Sequence, residues 1–215
     1  MQEFELLSLS HFLGFCICLA AIVFIPKLIQ AKPGLENFSK YLLIFLLVEN
    51  QIRSTYVETL IKGGNLLENL PLHLCDFSAI VIAVFLLTGF RPLFIFAYFW
   101  GIAGAGMSIL TPDSEFAFPH YEYFATMYGH SLILLAVAFS IVNLGQRPYL
   151  KDIPKLIFYS SILLAIMYGI NYFLGANYWY LNERPYGDNI LSLMPEPPVH
   201  MFIPVSYTHL RAHET

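Results

Sequence analysis

The sequence predicts an all-α, polytopic transmembrane helix bundle with six complete spans and the start of a seventh. Three observations carry that reading. Apolar runs of about 20 residues, the length needed to cross a hydrocarbon core, recur along the chain. Charged residues make up only 12% of the 215 residues, against about 25% in an ordinary soluble domain. Hydrophobic residues reach 57% and mean hydropathy is +0.62. Runs this long and this numerous exceed what the core of one soluble domain needs.

The first span is expected at residues 9–28. Glu3 and Glu5 precede it and no basic stretch does, so it does not read as a secretory signal. The second, at 41–61, has an unusually polar outer half with Glu49, Asn50, Gln51, Arg53 and Thr55. The third, at 71–90, opens on Pro71, whose missing N–H costs nothing in a first helical turn. The fourth, at 92–110, holds Gly101, Gly104 and Gly106, small residues that let helix backbones approach closely. The fifth and sixth are expected at 121–144 and 153–174. After Pro195, Pro197 and Pro198, an apolar start at residue 199 reads as a truncated seventh span. Residues 206–215, SYTHLRAHET, are polar and unlike the rest, and read as a non-native tail. Residues 1–205 therefore read as a single membrane domain.

Basic residues set the expected orientation. Lys27, Lys32 and Lys40 lie between spans one and two, Arg91 between three and four, and Arg147, Lys151 and Lys155 between five and six. The opposite side carries only Lys62 and Arg184. The excess marks the first set as cytoplasmic and places the amino terminus outside, in a multi-pass cell-membrane protein. A formal charge of −4 argues against a nucleic-acid partner. Cys16, Cys18 and Cys75 form neither a disulfide framework nor a zinc pattern. No cofactor or metal is called for.

Ionisable residues inside a span are costly, so each one is a functional candidate. They gather toward the outer ends. Glu49 and Arg53 share a helix face at i, i+4. His73 and Asp76 share one at i, i+3, with Cys75 between them. His130 lies nine residues into span five, roughly 13 Å deep at 1.5 Å per residue. Span six ends on Asn171, followed by Asn177-Tyr178-Trp179-Tyr180. The asymmetry suggests a polar cavity open to the outer face. Plainer readings stand beside it. Glu49 with Arg53 reads as a structural ion pair, the tyrosines and Trp179 as an interfacial belt, and Cys16 and Cys18 as small core residues. Cys75 sits near a helix amino terminus, which favours a thiolate, although Asp76 opposes it. His73 is about 200° around the helix from Cys75, so a base would have to come from another span, with His130 the candidate.

Several segments in order along nearly the whole chain resemble the YwaF-type integral membrane protein family, which is related to the eukaryotic transmembrane protein 164. They are Leu70-Pro71-Leu72-His73-Leu74-Cys75-Asp76, Trp100-Gly101 with Gly104, Leu110-Thr111-Pro112, Gly129-His130, and Asn171 with Asn177-Tyr178 through Pro185. The resemblance implies about seven spans. It also implies cysteine-dependent phospholipid acyl transfer, with Cys75 as nucleophile and His130 as the membrane histidine.

The expected function is thus a lipid acyltransferase or acyl hydrolase taking a phospholipid or lysophospholipid from the membrane. Cys75 attacks the acyl ester and His130 acts as base, then acid. His73, Asn171 or Asn177 orient the oxyanion, beside Tyr178 in the binding set, and Asp76 with Glu49 and Arg53 support them. The alternative is a non-enzymatic transporter or small-molecule sensor using the same cavity. A metal-dependent hydrolase built on His73, Asp76 and His130 lacks the spacing that puts two ligands on one helix face.

Overall fold

A computed structural model describes residues 3–6 and 8–183. The expected seventh span from residue 199 and the tail 206–215 lie outside the described residues. Helices form at all six expected places. They are α1 (Leu9–Gln30), α2 (Glu36–Tyr56), α3 (Leu74–Thr88), α4 (Arg91–Leu110), α5 (Tyr121–Val142) and α6 (Ile153–Leu174). Among the described residues, α1, α4, α5 and α6 are long and apolar enough to cross a membrane. α3 is apolar but only 15 residues long. α2 is interrupted by Glu49, Arg53 and other polar groups, which lower its hydropathy.

Local chemistry explains the ends. Ser8 caps α1, its hydroxyl accepting from the His11 N–H at 3.4 Å. His120 caps α5, its Nδ1 accepting from the Glu122 N–H. Pro92 stands in the first turn of α4 and Pro154 in that of α6. Gly175 closes α6 at φ +64, a left-handed conformation that glycine adopts without a Cβ penalty. α2 runs into a π-helical turn (Val57–Ile61), and α4 contains another (Gly101–Ala105).

The chain divides into two compact units. Among the described residues, the first comprises those up to Arg53 together with Cys75–Arg147; the second comprises Ser54–Leu74 and those from Pro148 onward. The first unit has a dense apolar core. Leu43 and Leu47 of α2 meet Ile82 and Phe85 of α3, Phe94 and Ala97 of α4, and Ala136 and Phe139 of α5. Gly101 permits the approach of α4 to α5, since a Cβ there would lie 3.1 Å from Ile133 Cγ2. Gly106, expected to serve the same purpose, faces open space. Hydrogen bonds tie both ends of this unit. At one end Phe4 N–H donates to Glu115 O (2.9 Å) and His11 Nε2 to Leu110 O (3.2 Å). At the other, Gln30 Nε2 donates to Val142 O (3.0 Å), Asn143 Nδ2 to Pro26 O (3.1 Å) and Arg91 Nη2 to Arg147 O (2.9 Å).

The second unit is built differently. α6 leads through Gly175 into a short 3-10 turn (Tyr178–Tyr180), and a second such turn (Leu66–Glu68) precedes His73. Side-chain hydrogen bonds hold the two turns together, as described below.

Candidate functional site

Polar groups of the first unit converge where the carboxyl-terminal part of α2 faces the first turns of α5. Arg53 Nε donates to Glu49 Oε1 at 3.1 Å, the i, i+4 pair expected from the sequence. Arg53 Nη2 donates to Asn50 Oδ1 at 2.6 Å, and Nη1 to the Tyr121 hydroxyl. The guanidinium also lies 5.7 Å from the centroid of Tyr128, within the range of a cation–π contact. Asn50 packs on Gly129, where a Cβ would approach its Nδ2 to 2.9 Å. The next residue is His130. Its Nδ1 lies 2.7 Å from the Thr126 carbonyl oxygen. A carbonyl can only accept, so Nδ1 carries the proton, and in the neutral ring Nε2 holds the lone pair.

Cys75 lies in the first turn of α3, half-buried against the apolar core. Its thiol faces the Ser108 hydroxyl of α4, which donates to Gly104 O at 3.1 Å. Cys75 and His130 thus belong to one unit, but no hydrogen bond joins them among the described residues. Asp76 follows in the same first turn. Of the other two thiols, expected as small core residues, only Cys16 departs from that expectation. Cys18 packs against the Ile109–Tyr123–Met127 cluster, whereas Cys16 is exposed on the outer face of α1.

The remaining candidates belong to the second unit. Asn171, 1% exposed at the end of α6, clamps Tyr178 from both sides. Its Nδ2 donates to Tyr178 O, and its Oδ1 accepts from Tyr178 N–H, both at 2.9 Å. The Tyr178 hydroxyl donates to Leu67 O (2.7 Å) and accepts from Leu70 N–H (3.0 Å). Trp179 Nε1 donates to Leu72 O at 2.8 Å. Asn177 Nδ2 donates to Glu183 O, while its Oδ1 accepts from Asn182 N–H. The aromatic run expected as an interfacial belt is therefore split in role. Tyr172 is 83% exposed, but Tyr178 and Trp179 are buried latch residues. Trp179 and Tyr180 adopt φ of 61° and 52°, a left-handed conformation that non-glycine residues hold only when surrounding contacts enforce it.

An open pocket of about 370 Å³ lies beside this turn, lined by Glu68, His73, Gly175, Ala176, Asn177, Tyr178 and Tyr180. The His73 ring centroid is 5.0 Å from that of Tyr178 and 5.7 Å from that of Tyr180. Sequence reasoning gave no site role to Glu68, Tyr180, Asn50, Tyr121 or Ser108. Asn50 was legible in principle, standing between Glu49 and Arg53. The others depend on turns and helix pairings that leave no periodic signal. Among the described residues, no three His, Cys, Asp or Glu side chains converge as metal ligands.

A model of the TMEM164 family matches residues 4–208. A Treponema pallidum (strain Nichols) protein described as uncharacterized is 30% identical over 128 residues, 59% of this chain and 53% of that protein. The match thus spans about half the length of that relative. No solved structure matches the chain.

Proposed function

The chain belongs to the TMEM164 family, and from that premise we propose that it is a multi-pass cell-membrane enzyme that transfers acyl chains from phospholipids. In this reading all six helices span the bilayer, a seventh span begins near residue 199, and residues 1–205 act as one membrane domain. The amino terminus lies outside, because the basic residues Lys27, Lys32, Lys40, Arg91 and Arg147 mark the other side. The polar cluster around Arg53 then opens toward the outer leaflet.

The observation that carries the chemistry is the His130 tautomer. Nδ1–H donates to Thr126 O, which leaves Nε2 as the basic nitrogen. His130 takes the Cys75 thiol proton, and the thiolate attacks the acyl ester carbonyl. The carbon–oxygen bond breaks, and the lysophospholipid alcohol leaves with the proton from His130. An acyl thioester remains on Cys75. A second lysophospholipid hydroxyl, or water, gives its proton to His130 and attacks the thioester carbonyl; the carbon–sulfur bond breaks, and the departing Cys75 thiolate regains its proton from His130. Asn50, Glu49 and Arg53 hold α2 against α5 next to His130, and Asp76 sits next to the nucleophile.

The test is acyl exchange between labelled phospholipid and lysophospholipid by purified protein in bilayers. Cys75→Ser is expected to lose turnover at least 100-fold and His130→Gln by a similar factor, whereas Cys18→Ser keeps it. Full turnover in Cys75→Ser would remove this mechanism. One observation favours a second reading, a binding or transport protein with no chemistry at Cys75. The described residues lining the pocket of the second unit include His73, Asn177 and Tyr178 but no cysteine.

A further inference from the structure

We propose that the pocket of the second unit is a binding site for a substituted ammonium group. The proposal goes beyond acyl transfer and stands whether or not Cys75 reacts.

Charge and ring chemistry point to this ligand. Glu68 supplies a carboxylate, and no lysine or arginine is among the described lining residues. The site is therefore built for a cation. His73 and Tyr180 supply neighbouring rings along the wall, and Tyr178, 1% exposed, packs against His73. Aromatic faces attract alkylated ammonium ions, whose charge is spread over carbons that shed water cheaply. A bare metal ion would instead need several ligands, and among the described residues no three His, Cys, Asp or Glu side chains converge. At about 370 Å³, the pocket falls at the lower end of the range for small-molecule sites.

The walls are also pre-set. Asn65 Nδ2 donates to Glu68 Oε1 at 2.9 Å, which orients the carboxylate. The Tyr178 hydroxyl ties down Leu67 and Leu70, and the Trp179 indole ties down Leu72, so the segment carrying Glu68 and His73 is fixed to the turn carrying Tyr178 and Tyr180. The positive φ of Trp179 and Tyr180 is a strained conformation for residues other than glycine. Asn171 and Asn177 bond the backbone on either side of these two residues, at Tyr178 and Asn182. Strain held by dedicated side chains, next to a pocket, presents the rings in one arrangement and lowers the ordering cost of binding.

Equilibrium dialysis of labelled choline against the full chain in maltoside micelles tests the site. Saturable binding is expected. Tetramethylammonium should displace it, and 3,3-dimethylbutan-1-ol, the uncharged isostere, should not. Glu68→Gln, an exposed and nearly isosteric change, should weaken binding about tenfold, while Glu58→Gln, which removes a carboxylate outside the lining that pairs with Lys62, should preserve it. No saturable binding, displacement by the neutral isostere, or unchanged affinity in Glu68→Gln would overturn the proposal. Bilayers then identify the source of the ammonium. Suppression of choline binding by phosphatidylcholine but not phosphatidylglycerol nanodiscs assigns a lipid headgroup, and suppression by neither assigns a free ammonium compound. Equal suppression by both contradicts an ammonium site.

Discussion

The first unit buries apolar side chains by helix-on-helix contact, whereas the second buries an irregular turn by hydrogen bonding its backbone. In the first, Ile82, Phe94, Ala97, Ala136 and Phe139 are each 0% exposed. In the second, the least exposed groups include Asn171 and Tyr178, and their value lies in donors and acceptors rather than volume. The contrast has a physical source. Within a bilayer, lipid solvates apolar side chains as well as protein does, so helix association rests on close packing. A backbone that leaves helical geometry must find partners for every N–H and C=O, and side chains must supply them.

The comparison can be broken most easily at its packed half. Phe94→Ala should cost about 3 kcal/mol by leaving a cavity between α3, α4 and α5. Phe173→Ala, at a position 84% exposed, should leave thermal unfolding in detergent unchanged. Equal losses would mean that packing does not distinguish the two regions.

The hydrogen-bonded half should respond to Asn171→Leu. The change keeps bulk but removes both bonds to the Tyr178 backbone, an effect of about 2 kcal/mol. Trp179 fluorescence should shift to the red as the turn loosens. A stable variant with unaltered emission would show that apolar packing, not the clamp, holds this turn.

Two smaller effects sharpen the picture around Arg53. Gly129→Ala places a methyl 2.9 Å from Asn50 Nδ2. Asn50 must then move off Arg53, at about 1 kcal/mol. Glu49→Gln should cost less than about 1 kcal/mol, since both partners keep 28–36% of their side-chain surface open. A larger loss from Glu49→Gln than from Gly129→Ala would make the ion pair, rather than the α2–α5 contact, the organising feature.

Much of the fold was legible because helices leave long periodic or apolar runs. α1, α4, α5 and α6 begin within a few residues of where the hydropathy placed them. The Glu49–Arg53 pair was legible because i, i+4 spacing on a helix fixes proximity. Hydropathy could not show that α3 starts at Leu74 rather than Pro71, because Leu70–His73 are held by side-chain bonds to Tyr178 and Trp179. Nor could it show the aromatic run dividing into exposed Tyr172 and buried Tyr178. That division follows from Gly175 reversing the chain and from Asn171 reaching back across seven residues. The neighbours of Cys75 and His130 escaped detection because Ser108 and Thr126 are ordinary helix residues whose role comes from packing.

The proposal for Cys75 makes a prediction that simple accessibility does not. Cys16 is the exposed thiol, while Cys18 and Cys75 are partly buried. The direct measurement treats the purified protein in bilayers with a thiol-reactive phospholipid analogue and maps the adduct by mass spectrometry. The account predicts an adduct on Cys75 that forms faster than on Cys16 and is lost in His130→Gln. Labelling that simply follows exposure, with Cys16 reacting first and Cys75 indifferent to His130, would contradict it.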